Sequence, residues 1–213
     1  MKPILFNTQM VQAILAGTKT QTRRVVKPQP AGDGSAPEPL RTRPGAWNAW
    51  GDDNVLWPQY QPGDILYVRE TWQHGYWDAE GDTSNPHVFF EETEPGDPGN
   101  YMLGHYIYKA DAQSFDDVPE PDRWHPSIHM PREAARIFLR VTDVRVERLK
   151  TILDSPHGPE NEIKKEGFAY ACDFIAGWQR TVKKCDLPRF GWNANPWVWV
   201  YEFERIGKEE AYA

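Results

Sequence analysis

The hydrophobic pattern opens with helical spacing. Between Leu5 and Gly17, Met10, Val11, Ile14 and Leu15 fall on one face of a 3.6-residue period. Asn7 and Thr8 suit a helix start and Gly17 a helix stop, so a short amphipathic helix is expected there. The period then shortens to two. Thr20 to Val26 alternates in β-favouring residues up to Pro28, which predicts a strand leaving directly from the helix end. Pro62-Gly63-Asp64 has turn chemistry, and Ile65 to Trp72 after it is the clearest strand in the chain. Ala135 to Val146 reads as a long strand with Ile137, Leu139 and Val141 on one face and Arg136, Phe138 and Arg140 on the other. The last strand, Trp197 to Ile206, sets Trp197, Trp199, Tyr201 and Phe203 against Val198, Val200, Glu202 and Glu204. Helices are expected over Pro159 to Gly167 and Tyr170 to Lys184, the second with an apolar stripe of Phe174, Ile175 and Trp178 that belongs to a core rather than to a cofactor.

Two stretches break the periodicity. Residues 30–62 are rich in Pro, Gly, Asp and Ala, with Trp47, Trp50 and Trp57 placed to fold the segment back; residues 75–104 are acidic and rich in Gly and Pro. Both read as long loop insertions, with a short strand expected over Tyr106 to Tyr108. A front helix followed by strands separated by long loops points to an α+β chain, a mixed β-barrel with flanking helices rather than a βαβ sheet. The 213 residues are enough for one elaborated domain, taken here as 1–213.

Composition adds an aromatic load of ten Trp, nine Tyr and nine Phe beside 19 Pro, which suits short strands and long loops with aromatic plugs rather than a helical bundle. No stretch approaches the roughly 20 apolar residues that cross a bilayer, so no membrane partner and a cytoplasmic location are expected. In that setting Cys172 and Cys185 are expected to remain thiols. A net charge of −7 argues against nucleic acid, because phosphate binding draws on Lys and Arg. Its distribution changes the picture. Between Glu70 and Tyr108 there is no Lys or Arg, whereas Lys19 to Arg43 carries six basic residues against Asp33 and Glu38, and Arg132 to Lys150 six against Glu133, Asp143 and Glu147. The acidic block is best read as a solvated loop, which leaves the two basic segments unexplained.

Gly17-Thr18-Lys19-Thr20-Gln21-Thr22-Arg23-Arg24 is the strongest chemical signal. Lys19 supplies a mobile point charge, Thr20 and Thr22 hydroxyls, and Arg23 and Arg24 planar forks suited to phosphate. Alternation puts Thr20, Thr22 and Arg24 on one strand face and Gln21 and Arg23 on the other, while Lys19, at the turn, reaches either and is expected to be solvent-accessible. The plain alternative is an exposed strand with ordinary solvated charges, and composition alone leaves the two even.

The blocks ILAGTKTQTRR, GDILYVRETW, PSIHMPREAARIFLRVTDVRVERL and NPWVWVYEFERI together resemble the ASCH-domain proteins of bacteriophages and prophages, in the same order and over most of the chain apart from the two insertions. The resemblance implies a PUA-like β-barrel and a nucleic-acid site, RNA first, or one for a modified nucleobase, lined by the Lys19 block. Lys19, Thr20, Thr22 and Arg24 are then the leading contacts, with Glu70, Arg132 and Arg140 behind them and Arg23 among the further candidates. It also implies an alternative, since some small bacterial ASCH proteins remove the acyl group of N4-acetylcytidine with a lysine, a threonine three residues on and a glutamate on a later strand. Lys19 and Thr22 match that spacing, and a lysine of depressed pKa can activate a hydroxyl for attack on an amide. The glutamate's place holds Arg140, which cannot act as a base at neutral pH, so Glu70 is the substitute candidate unless Arg69 beside it ties it up. A third reading, a phage assembly factor contacting protein alone, rests on loop aromatics and the acidic insertion.

Weaker signals add little. Trp72 is placed to stack a base, worth roughly 1–3 kcal/mol where it happens, although a buried tryptophan is the commoner fate. Ser127 and Arg132 flank His129-Met130-Pro131 before a strand, where loop packing is the plainer role. His125 and His129 have the spacing of a metal pair, but Pro126 between them disfavours a regular helix, so no metal is assigned. No phosphate loop, nucleophile elbow or zinc signature is present, and no cofactor is called for.

Overall fold

The computed structural model describes residues 1–27, 29, 40–43, 46–48, 55–78, 88–90, 101–114, 123–156 and 158–213. In chain order the first elements are β1 (Lys2–Leu5), α1 (Thr8–Leu15), β2 (Gln21–Val25), β3 (Leu40–Arg43), β4 (Ala46–Asn48), β5 (Val55–Leu56) and β6 (Ile65–Arg69). There follow β7 (Trp72–Asp78), β8 (Val88–Phe90), β9 (Tyr101–Tyr108) and β10 (Phe138–Arg148). The C-terminal part adds α2 (Pro159–Lys165), α3 (Ala171–Thr181), α4 (Leu187–Phe190), β11 (Trp197–Ile206) and α5 (Lys208–Tyr212). The chain is therefore α+β.

Its main sheet has five strands in the order β1-β6-β10-β11-β2. β11, almost wholly aromatic and β-branched, is a central strand, and Trp197 to Tyr201 are buried on both faces. It pairs antiparallel with β10 from Phe138↔Ile206 to Arg148↔Trp197, with a register shift between Val141 and Asp143. On its other side it pairs antiparallel with β2, from Val198↔Val25 to Glu202↔Gln21. The expected closed barrel is not what these strands form. Among the described residues the sheet is open, with β1 and β2 at its edges.

The two insertions are not plain loops. Within 30–62 lies a three-stranded sheet, β3-β4-β5, and within 75–104 β7 carries β8 and β9 as antiparallel neighbours. The short strand expected over Tyr106 to Tyr108 is the end of the longer β9. Trp57 is exposed; Trp50, Glu80, Asp82, Glu91, Glu92, Glu94 and Asp97 lie outside the described residues. The long strand begins at Phe138 rather than Ala135, because Arg132–Ala134 forms a short 3-10 turn whose last carbonyl-bonded amide is Ala135.

The chain packs as two compact units. The first comprises Met1–Lys2, Ala13–Leu66 and Phe138–Ala213, and its core joins Val141, Val144 and Leu149 to Ile152, Ile163, Phe174 and Trp178. Trp178 Nε1 donates to Phe190 O at 2.8 Å; of the expected helical stripe Phe174 and Trp178 are core, while Ile175 is half-buried. The second comprises Pro3–Gln12 and Tyr67–Ile137, with Ile4, Phe6, Val11, Val68, Ile107, Met130 and Ile137 buried. Among the described residues no helix is long and apolar enough to cross a membrane.

Candidate functional site

The Lys19 segment is positioned by two helix ends. Gly17, at φ 72°, takes the left-handed conformation that ends α1, and the amides of Thr18 and Lys19 both donate to Ala13 O at 2.9 and 3.0 Å. The turn delivers β2 against the C-terminus of α2, where the carbonyls of Lys165 and Glu166 lie past the last helical donor and that of Glu162 already accepts from the Glu166 amide. Thr20 N donates to Lys165 O at 2.9 Å, Gln21 Nε2 to Glu162 O at 3.2 Å, and Lys19 Nζ to Glu166 O at 2.7 Å. A cation at a helix C-terminus also meets the negative end of its dipole. Gly167 follows at φ 85°; a Cβ there would stand 3.0 Å from Ala13 Cβ and 3.3 Å from Lys19 Cβ, so only glycine permits this approach.

Lys19 is consequently not the accessible side chain that its place at a turn predicts. It is 3% exposed, with Nζ also donating to Gln21 O at 2.7 Å and lying 3.4 Å from Glu166 Oε2. Burial pulls its pKa down to about 8, against the raising effect of the Glu166 carboxylate, while Arg24 and Arg23 add to the lowering. Arg23, buried beside it, gives NH1 to Glu166 Oε1 at 2.7 Å and NH2 to Glu147 Oε2 at 3.1 Å. Arg145 reaches Glu202 Oε1 at 2.6 Å and also pairs with Glu147. Glu162, the remaining anion, binds Gln21 Nε2 at 2.9 Å and Lys165 Nζ at 2.9 Å; burial alone would raise its carboxyl, but these two contacts hold it below the usual range. The second basic segment is thus partly neutralised by carboxylates of its own sheet and of α2.

The opposite face of β2 carries Thr22 and Arg24, as alternation requires. Thr22 is buried and faces Tyr201 across the ladder, while Thr20 is exposed. Arg24 is half-buried; desolvation pushes its guanidinium below its ordinary value against the pull of Tyr60, Glu166 and Tyr201. Tyr60 and Tyr201 meet edge to face at 5.1 Å, and burial raises the Tyr201 hydroxyl to about 12.

Beside the Gln21–Arg23 face lies a pocket of about 300 Å³, walled by Arg23, Arg145, Glu147, Glu162 and Glu202 and by the Thr151–Pro156 stretch. Of the residues singled out from the sequence, Arg23 alone lines it. Glu147, Glu162 and Glu166 were missed, although Glu162 and Glu166 share a helix face at i, i+4 and Arg145 and Glu147 alternate onto one strand face.

Other candidates lie elsewhere. Arg140 pairs with Glu204 at 3.1 Å and with Glu210 at 2.5 Å, linking β10 to β11 and α5. In the second unit Glu70 is buried and its carboxylate accepts from Arg136 Nε at 2.9 Å and NH2 at 3.0 Å. The residue that engages it is therefore Arg136, not its neighbour Arg69, which donates to Met130 O at 2.9 Å and to Ile128 O. Burial raises the Glu70 carboxyl although Arg136 opposes it. Arg136 also pairs with Asp111 at 2.5 Å and stacks on Tyr108 at 3.9 Å. Trp72 is buried, stacked on His125 at 4.9 Å and edge-on to Tyr106, whereas Arg132 is exposed, 5.9 Å from the Tyr67 ring.

No family model, curated protein or solved structure matches the chain.

Proposed function

We propose that this chain is a PUA-like ASCH protein that binds RNA or a modified nucleobase, and that it reads the base rather than following the phosphate backbone. The observation that supports this is the pocket beside Arg23, where hydrogen-bond donors and acceptors stand side by side on β2, β10, β11 and α2. Bases are recognised by hydrogen bonds to their edges, with carboxylates accepting from exocyclic amines and arginines donating to ring nitrogens and carbonyls. A backbone-tracking surface needs uncommitted cations, whereas Arg23, Arg140 and Arg145 already face carboxylates. Competition between a labelled mixed-sequence RNA and a panel of nucleosides, at several salt concentrations, tests the reading. A nucleoside that competes with little salt dependence supports it; failure of both RNA and nucleosides to bind sinks it.

A second reading, removal of the acyl group of N4-acetylcytidine, is favoured by one observation. The Lys19 amine, with a pKa of about 8, can shed its proton close to neutral pH, and Glu166, rather than the substitute candidate Glu70, supplies a carboxylate beside it. Against it stands the commitment of that amine to two backbone carbonyls.

A further inference from the structure

Among the described residues, one buried guanidinium N–H has no hydrogen-bond partner: Nε of Arg23. The other two nitrogens of that group are held by Glu166 and Glu147, so the guanidinium is fixed with one donor unmatched. Leaving a buried donor unmatched is unfavourable, and native structures show few such groups. Arg23 is 4% exposed and lines the 300 Å³ pocket.

Charge decides what can meet that donor. The cations of the pocket are Arg23, Arg145 and Lys165, and each has a carboxylate partner at 3.1 Å or closer. Its anions are Glu147, Asp154, Glu162 and Glu202, four against three. A phosphate entering here would add negative charge to a site already in anionic surplus. An uncharged group that offers an acceptor to Arg23 and a donor to the neighbouring carboxylates has no such conflict. A carbonyl or ring nitrogen next to an N–H is that combination, and lactam and amino heterocycles carry it on one edge.

Resting on the base-reading proposal, we infer that this pocket takes an uncharged heterocycle by such an edge. Arg23 Nε donates to its carbonyl or ring nitrogen, Glu147 accepts from its N–H, and any phosphate of the same ligand stays outside. The pocket is thus selective for the neutral base over the charged backbone.

The Nε–H resonances of 15N-arginine-labelled protein, with Arg23 assigned through Arg23→Lys, test this directly. The probes are cytidine, adenosine, uridine, ribose 5-phosphate and inorganic phosphate, with filter binding of a mixed RNA in parallel. At least one nucleoside is expected to shift the Arg23 Nε–H saturably, with affinity changing less than about twofold between roughly 50 and 200 mM salt, unlike a phosphate contact. Glu147→Gln is expected to weaken that nucleoside roughly tenfold, the scale of one charge-assisted hydrogen bond. A shift produced by inorganic phosphate or ribose 5-phosphate overturns the inference. RNA retained on the filter while no nucleoside moves the Arg23 resonance also overturns it, but leaves the broader reading standing; absence of RNA and nucleoside binding removes both. Should Arg23→Lys not fold, assignment by through-bond experiments on the unaltered protein keeps the nucleoside-against-phosphate comparison decisive.

Discussion

Glu166 meets Lys19 twice: its backbone carbonyl accepts from Nζ at 2.7 Å and its carboxylate lies 3.4 Å away. The other carboxylate oxygen holds Arg23 at 2.7 Å, so one residue both ends α2 and neutralises two buried cations. Glu166→Gln is expected to leave those charges undermatched and to cost about 3–5 kcal/mol, the range for breaking a buried pair. Because Glu166 is the strongest influence holding the Lys19 amine up, its pKa should fall further below its ordinary value. Urea unfolding and NMR titration of the lysine side chain measure the two effects; an unchanged lysine pKa refutes the electrostatic account.

Lys19 itself gives a pH dependence. Its pKa is about 8 when folded against an ordinary 10.5, so between these values the unfolded chain binds more protons and the contribution to stability rises with pH. Below that window the buried charge costs on the order of 3 kcal/mol, which is relieved as the amine deprotonates. Tyr201, raised to about 12, works in the opposite sense above its ordinary value of 10. Comparison with Lys19→Met cancels that contribution. The unfolding free energy of the natural protein minus that of the variant is expected to grow from pH 7.5 to pH 9.5 (about two units across the folded midpoint). A flat or falling difference rules out a depressed amine.

Much of this architecture is written locally. The β11 segment, with its run of Trp, Val and Tyr after Pro196, and the α2 and α3 periods are each legible within a dozen residues, and so is the face shared by Gln21 and Arg23. The burial of Lys19 is not, because its partner Glu166 is 147 residues away and only tertiary packing brings α2 over the turn. The small sheets within the insertions escaped for a related reason: β3, β4, β5 and β8, of two to four residues, carry too few periods to register, and in the longer β7 and β9 Gly75 and Gly104 interrupt the alternation.

The Glu70–Arg136 pair tests the second unit by itself. Arg136→Met strands a buried carboxylate and is expected to cost about 3–5 kcal/mol, whereas Glu70→Gln, which keeps an acceptor, should cost less. The double variant is expected to recover part of the Arg136→Met loss, as read from thermal and urea unfolding. Strict additivity would mean that the pair is not coupled.

Trp197 and Trp199 are both 5% exposed in the central strand, and Arg148 stacks on Trp197 at 4.4 Å. Alanine at either position removes a large buried aromatic and is expected to destabilise by about 3–5 kcal/mol. A near-neutral effect in urea unfolding would place that face outside the core.

The choice between reader and hydrolase turns on Lys19, Thr22 and a carboxylate. In a reader, Lys19 caps α2 and Thr22 packs under Tyr201, so the protein should bind nucleosides yet release little or no acetate from N4-acetylcytidine. A general base contributes on the order of 10²–10⁴-fold to rate, so its absence would be plain beside an active deacetylase. Arg140→Glu is expected to restore at most a trace of activity, since it would set a third carboxylate against Glu204 and Glu210. Robust turnover in the natural protein, lost in Thr22→Ala and Lys19→Met variants that still unfold cooperatively, would overturn the reader assignment. Glu166→Gln and Glu70→Gln would then identify the working carboxylate. Loss with the first and persistence with the second assigns it to the residue that already touches the lysine, and the reverse returns it to Glu70.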